Sequence, residues 1–530
     1  MRPSRRWLLL GVAGVALALH LWGIRRDLPY ITDDMTWVVH PALGIAATGD
    51  PNPHQFAYPG STLVYPLAAA YHCWNAAAHD GSWVHAGPQV RSAFDASPSG
   101  FLLISRLLTV GYAVLSVPVI DAVGRAAFDA DTALIGTLLA VLQPGELFDK
   151  RVTTNSASMF FCMLGLWCCL RLLEGPSIRN QVITGGVIGL AIGTKYPLAT
   201  LVATLLIADA MILWQLRARL QQRTAAALQA MVGLAAVPAG FLLCTPYFLL
   251  DFATVMQDVG LQFGKPHFGA DGLSPFGNLS WYVAAALPSS LNWPQRIAAL
   301  VGIALVVWRR RFPQILLLSF AAIFLCGISV SSLHWVRWLI PVLPVFALFA
   351  AHGLETFVVY VSGHVGAPRL AQSAALVGLV ALMAVGPLRQ IVQTNQLRVN
   401  PSTYVLARQW VEANLPPGAR VAYEWETLPP PRTHGLVGLG TFLNREDGHD
   451  LFEFAISRLS KVKTLEYYSM NRYHYLVASK LMYGNYLADP RRYPVEAAFY
   501  SALLTKGRLL HQVDPSPAHE GEEIRIYEIP

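Results

Sequence analysis

Charge is what this chain has least of. Only 13% of its 530 residues are Asp, Glu, Lys or Arg, while 54% are hydrophobic. A water-soluble protein carries about 25% charged residues, so a conventional soluble globular protein is excluded. Mean hydropathy is +0.42. Cysteine is also sparse, with six in all. Cys162, Cys168, Cys169, Cys244 and Cys326 lie in or at the ends of apolar segments, Cys73 lies in an amphipathic one, and the C-terminal portion has none. No disulfide framework or CxxC metal spacing occurs, so these cysteines read as small core residues. The net charge is +7, but the arginines sit in short loops between apolar runs and no nucleic-acid motif stands out. Nucleic acid is not an expected partner; membrane lipid is.

Long apolar runs are what the chain has in abundance, and runs of about 18 residues or more read as transmembrane helices. Candidate spans begin at Trp7, Phe101, Thr132, Asn155, Gln181, Pro197, Ala225, Gln295, Pro313, Val336 and Ala371. The expected fold class is therefore a polytopic α-helical membrane protein with about eleven transmembrane helices, some slightly short. The start, "MRPSRRWLLLGVAGVALALHLWG", has the basic head and apolar body of a signal peptide. Its apolar run continues to Trp22 with no convincing small-residue cleavage site before Arg25, so it reads as an uncleaved anchor.

One segment decides the orientation of all the others. "STLVYPLAAAYHCWNAAAH", Ser61 to His79, contains Pro66, two histidines and Asn75. If it lies in the interface without crossing, Arg2, Arg5 and Arg6 share one side with Arg125, Arg171, Arg179, Arg217, Arg219, Arg223, Arg309–Arg311 and Arg369. If it crosses, the positive-inside rule fails repeatedly. It is read as interfacial, and Arg309–Arg311 as a topology signal. The N-terminus is then cytoplasmic in a multi-pass plasma (inner) membrane protein. The first loop (25–100), the loop from Pro246 to Pro294 and everything after Leu388 lie outside.

Composition changes at about Asn395. Charge returns, turns such as "NLPPGAR" appear, and strand-like runs ("YHYLVAS", "EIRIYEI") alternate with helical ones. The expected organisation is a transmembrane domain over 1–394 and an extracytoplasmic α/β domain over 395–530. Within the first, Gly185, Gly189 and Gly193 form a ridge for close helix approach. "GLAIGTKY" superficially suggests a phosphate loop, but the glycine spacing is wrong for GxxxxGK[ST], and Thr194 separates Gly193 from Lys195. With no credible nucleotide site, an activated substrate is expected to arrive through the lipid.

"PYITDDMTW", Pro29 to Trp37, sets adjacent carboxylates Asp33 and Asp34 just past the first apolar run. Two carboxylates in a confined site push each other's pKa apart, leaving an anion able to accept a proton from an attacking hydroxyl. The pair could equally bind a hard divalent cation, or be a solvated loop end. "DLPYITDDMTWVVHPALGIAATGDPNPHQFAYPGSTLVYPL", "GTKYPLATLV", "CTPYFLLDF", "HWVRWLIPVLPVFAL" and a tail reading "WVEANLPPGARVA…IRIYEI" together resemble the C-type (GT-C) membrane glycosyltransferases. The similarity is to family 39 and its relatives, the protein O-mannosyltransferases and aminoarabinose transferases. The resemblance covers nearly the whole chain; each motif is weak alone, and their order carries it. It implies a GT-C fold with interfacial helices in the first external loop, and transfer of a sugar from a polyprenyl-phosphate donor to a lipid, protein or glycan acceptor.

The resemblance maps the functional acid to Asp33, with Asp34 where glutamate is commoner. Phosphate leaves as a stable anion, so one base suffices and a single displacement inverts the anomeric centre. No cofactor is required, although a divalent cation is possible. Lys195, at an expected outer turn, and Arg337, at the outer end of the tenth span, are candidate phosphate cations; snorkelling to the interface is the alternative for Lys195, and a structural pairing with a carbonyl for Arg337. His54 and Tyr58 are possible substrate contacts, or serve only the turn set by Pro53 and Pro59. His334 reads as interfacial packing with a possible substrate role. Asp149, Lys150 and Arg151 read as a solvated ion-pair group. Relatives often carry aspartate after the third span where this chain has Asn155, which can hydrogen-bond but is neither a base nor a strong metal ligand. A transporter or flippase of a lipid-linked sugar, and an inactive scaffold of the same fold, remain the alternatives; no internal repeat supports the transporter.

Overall fold

The computed structural model describes residues 5–28, 30, 35–78, 86–143, 151–264, 273–331, 333–416, 419–424, 427–428, 454–456, 459 and 464–530. Every apolar run picked out above is helical. Among the described residues seven helices are long and apolar enough to cross a membrane: Pro98–Ala127, Asn155–Glu174, Tyr196–Gln215, Leu220–Cys244, Phe312–Ser329, Leu343–His364 and Arg369–Leu397. The other four expected spans are shorter. Arg5–Leu21, Ile178–Thr194 and Trp293–Arg309 have 17 residues each, and Ala130–Val141 has 12. Twelve residues rise only about 18 Å, less than the ~30 Å hydrocarbon core. The helix there ends just before Pro144, which cannot continue it without losing a hydrogen bond. The segment Ser61–Ala78 is a helix containing Pro66 and is not among the seven.

The residues form two compact units. One comprises Met1–Leu21, Trp37–Tyr71 and Ile104–Val392; the other comprises Trp22–Thr36, His72–Leu103 and Gln393–Pro530. The first is a helical core centred on fully buried Leu166, Leu201, Leu317, Phe320, Phe324 and Leu348. Cys162, Cys168 and Cys169 are buried there, and all six cysteines are free.

The glycine ridge acts as its spacing suggests. A Cβ on Gly185 would stand 2.1 Å from Gly233 O, and one on Gly189 would stand 2.4 Å from Phe241 N and from Val237 O. Helix Ile178–Thr194 therefore lies backbone-to-backbone on Leu220–Cys244. Gly186, on another face, would meet nothing within 4 Å. Gly189→Ala is expected to destabilise by about 1–3 kcal/mol through overpacking, while Gly186→Ala should be neutral. Thermal unfolding of the two variants in one detergent checks the contrast.

The second unit contains a five-stranded sheet of order β2-β1-β3-β5-β4, made of β1 (Val421–Glu424), β2 (Phe454–Ile456), β3 (Tyr475–Ser479), β4 (Arg508–Val513) and β5 (Ile524–Glu528). β1 pairs in parallel with β2 and β3, and β5 pairs antiparallel with β3 and β4. Arg26 and Asp27, early in the first loop, belong to this unit through named bonds. Asp27 accepts from Ser402 N at 2.9 Å, and Glu520 accepts from Arg26 at 2.9 Å and Arg398 at 3.0 Å.

Glu424 ends β1 with no exposure. It accepts from Tyr500 OH and, at 2.7 Å, from Ser479 N. Burial outweighs these bonds and pushes its carboxyl up to about 7. The unfolded group ionises near 4.5, so the folded state favours the neutral acid. Stability from this group is full below about pH 4.5 and is lost as pH rises through 7. The loss between pH 5 and 8 is on the order of 2–3 kcal/mol. Glu424→Gln, shaped like the neutral acid, should remove that slope, which hydrogen exchange of the β1 and β3 amides at the two pH values would show.

Candidate functional site

The first-loop segment from Asp50 to Gly60 is a knot of short-range bonds. Asp50 accepts from Asn52 N at 2.9 Å and faces His54 Nε2 at 3.0 Å. Asn52 accepts from His54 N at 3.0 Å and donates to Asp251 at 2.9 Å. Asp251 also lies 3.8 Å from His54 Nδ1. The Asn52 backbone N–H and then the His54 ring hold the Asp50 carboxyl below its usual range; the Asn52 side chain, then Thr254, do the same for Asp251. His54 has φ +50, a region uncommon for residues other than glycine, and these bonds fix it there. Asp50, Asn52 and Asp251 were not singled out from sequence, although Asp251 sits inside "CTPYFLLDF".

Beyond His54 the chain turns inward. Gln55 donates to Trp37 O and Tyr58 O at 3.1 and 3.0 Å, and the Tyr58 and Trp37 rings lie 5.0 Å apart. The Phe56 peptide is held at both ends. Its N–H donates to Asp258 at 2.7 Å, and its carbonyl accepts from Tyr196 OH at 2.8 Å. Tyr58 is thus part of the turn's packing, and Trp37 is where the chain after the acid pair joins it. Asp33 and Asp34 themselves lie outside the described residues, as do Asp149 and Lys150.

Lys195 follows the last turn of helix Ile178–Thr194. It does not snorkel: it is only 6% exposed, and its ammonium donates to Asn155 Oδ1 at 3.1 Å. The structure therefore joins two candidates that are 40 residues apart. Asn155 opens its helix and is itself buried. Hydroxyls line the neighbouring helix ends: Thr194 pairs with Thr62 at 2.7 Å, and Thr245 donates to Ser61 at 3.1 Å. The Asn155 amide orients a buried ammonium, the kind of donor a phosphate site uses.

His334 and Arg337 form a second group. His334 Nδ1 lies 3.0 Å from Asn278 Oδ1, and its ring lies 4.2 Å from that of Trp281. Trp335 N donates to Tyr282 OH at 3.2 Å, and the Arg337 guanidinium covers the Trp335 ring at 4.3 Å. Asn278 has no exposed surface and went unnoticed in the sequence, where nothing marks it. Among the described residues, no group of three His, Cys, Asp or Glu side chains is placed to hold a metal ion.

Solved structures of two membrane enzymes are similar to this chain. ArnT from Cupriavidus metallidurans, bound to undecaprenyl phosphate, superposes with a TM-score of 0.54 at 15% identity, covering 99% of this chain and 98% of that one. The oligosaccharyltransferase of Archaeoglobus fulgidus gives 0.53 at 15% identity, covering 96% and 73%. The same archaeal enzyme, AglB, in complex with an inhibitory peptide and a dolichol-phosphate gives 0.51 at 14%, covering 95% and 73%. The chain has the GT-C glycosyltransferase fold. A family profile described as dolichyl-phosphate-mannose-protein mannosyltransferase also matches residues 98–241, which include Asn155 and Lys195. A comparison with curated proteins found no match. In this GT-C fold, the seven apolar helices make the chain an integral membrane protein.

Proposed function

We propose that this protein is a glycosyltransferase that takes a hexose or pentose from a polyprenyl-phosphate donor and passes it to an acceptor hydroxyl at the extracytoplasmic face. One observation carries the reading: Lys195, a buried ammonium oriented by Asn155, in a fold where ArnT holds undecaprenyl phosphate. Lys195 and Arg337 neutralise the donor phosphate. Asp33 accepts the proton of the attacking hydroxyl, and Asp34 tunes it. The new bond forms at the anomeric carbon as the carbon–oxygen bond to phosphate breaks, so electrons leave with the phosphate and the centre inverts. His54 and Tyr58, held in their turn by Asp50 and Trp37, are further contacts to the substrate. No cofactor is needed for this displacement, and a divalent cation would act only by adding charge near the phosphate. The acceptor is a lipid, protein or glycan hydroxyl.

Mass spectrometry of polyprenyl-linked sugars and envelope glycans, in cells with and without the protein, tests the reading. Loss of the protein should raise one polyprenyl-phosphate sugar and remove one glycan modification. Unchanged profiles of both would refute it.

A further inference from the structure

Helix Trp293–Arg309 begins against the proline break of another helix. Pro387, inside Arg369–Leu397, has no N–H to give the carbonyl one turn before it, which is Met383 O. That carbonyl accepts instead from the Asn292 side chain at 2.7 Å and the Gln295 side chain at 3.4 Å. Asn292 also caps the helix, its side chain accepting from Gln295 N at 3.0 Å and its carbonyl from Arg296 N at 3.0 Å. The first turn is therefore fixed in place, and Arg296 stands on it.

Arg296 is a cation without a counter-charge. Its Nε is covered by protein and has no hydrogen-bond partner, and the guanidinium forms no ion pair among the described residues. The residue is half-buried, whereas Arg309, Arg310 and Arg311 at the other end of the helix are exposed. Helical spacing puts Leu300 and Val307 on the same face as Arg296, one turn and three turns further along. Leu300 is 66% exposed and Val307 50%, and Trp293 beside them is exposed too. In a chain that crosses the membrane, such a face meets lipid. With Arg309–Arg311 inside, as the arginine distribution reads, Trp293 and Arg296 stand at the outer headgroup level.

A partly dehydrated charge above an apolar face is costly unless an opposite charge reaches it from outside the chain. We infer that Arg296 holds the phosphate of an outer-leaflet phospholipid, whose acyl chains lie along Leu300 and Val307. A guanidinium suits that partner, because its fork takes two phosphate oxygens at once. Undecaprenyl phosphate offers the same group, but Arg296 opens sideways on the bilayer, where phospholipid is in large excess. Lys195, by contrast, is enclosed. The lipid site stands whether or not the chain is a transferase.

Native mass spectrometry tests this on full-length protein, delipidated in detergent and titrated with one lipid at a time. The lipids are phosphatidylglycerol, diacylglycerol with the same chains, and undecaprenyl phosphate. Wild type should hold its first phosphatidylglycerol roughly tenfold tighter than diacylglycerol, the worth of a hydrogen bond between charged groups. Arg296→Gln should lose that margin, and Arg296→Lys, a charge without the fork, should keep part of it. Both variants should bind undecaprenyl phosphate as wild type does. Thermal melts without lipid check that the variants fold, and the comparison of the two glycerolipids on wild type needs no variant. Equal binding of phosphatidylglycerol and diacylglycerol by wild type overturns the inference, and so does a folded Arg296→Gln protein that keeps the margin. A loss confined to undecaprenyl phosphate would assign Arg296 to the donor's phosphate and overturn it as well.

Discussion

Asp33→Asn is expected to fold as wild type does, to bind the donor, and to transfer sugar at least about 10²-fold more slowly. The substitution keeps the shape of the side chain and removes only its basicity. General-base catalysis contributes about 10²–10⁴-fold, and the leaving phosphate needs no acid that could substitute for it. Asp34→Asn should be milder, because its proposed work is to tune its neighbour. Transfer rates on purified variants, with matched thermal melts, separate chemistry from folding. A folded Asp33→Asn protein working at near-normal rate would reduce the pair to a solvated loop end.

The second large effect concerns Lys195. Lys195→Ala should cut donor affinity at least tenfold, since it removes a buried charge rather than a screened surface one. Asn155→Asp is the sharper variant. It keeps an acceptor oxygen where the amide oxygen now accepts from Lys195 at 3.1 Å, and it supplies the aspartate that the resembling families often carry there. It should keep most of the donor affinity, whereas Asn155→Ala should lose part of it. Arg337→Lys should restore only part of what Arg337→Ala loses, because the guanidinium's fork and its stacking on Trp335 are not reproduced by an ammonium. Isothermal or fluorescence titration with undecaprenyl phosphate would give all five affinities. Unchanged affinity in Lys195→Ala and Arg337→Ala would remove both from the site.

The positions of the helices were legible because apolar length is written directly in the sequence; all eleven runs fold as helices. Their lengths were less so. Ala130–Val141 stops short because the apolar run itself ends at Leu142, with Gln143 and Pro144 following. Lys195 was visible as a lone cation at a turn, but its partner was not, since Asn155 is brought to it only by the packing of two helices. The same limit hid Asn278, whose four bonds reach backbone and ring atoms between 5 and 56 residues away. Composition marked a change of character near Asn395, yet the compact unit containing the tail also takes in Trp22–Thr36. The reason is specific: Asp27 receives the Ser402 N–H and Arg26 pairs with Glu520, contacts across 375 and 494 positions that no local pattern announces.

The most direct measurement follows undecaprenyl phosphate carrying a radiolabelled sugar through incubation with the purified protein and an envelope extract as acceptor. The account predicts that wild type releases undecaprenyl phosphate and moves label to the acceptor with inverted anomeric configuration, while Asp33→Asn and Lys195→Ala do neither at a comparable rate. Label that stays on the lipid with wild type, across sugars and acceptors, or that moves equally well with Asp33→Asn, would contradict it.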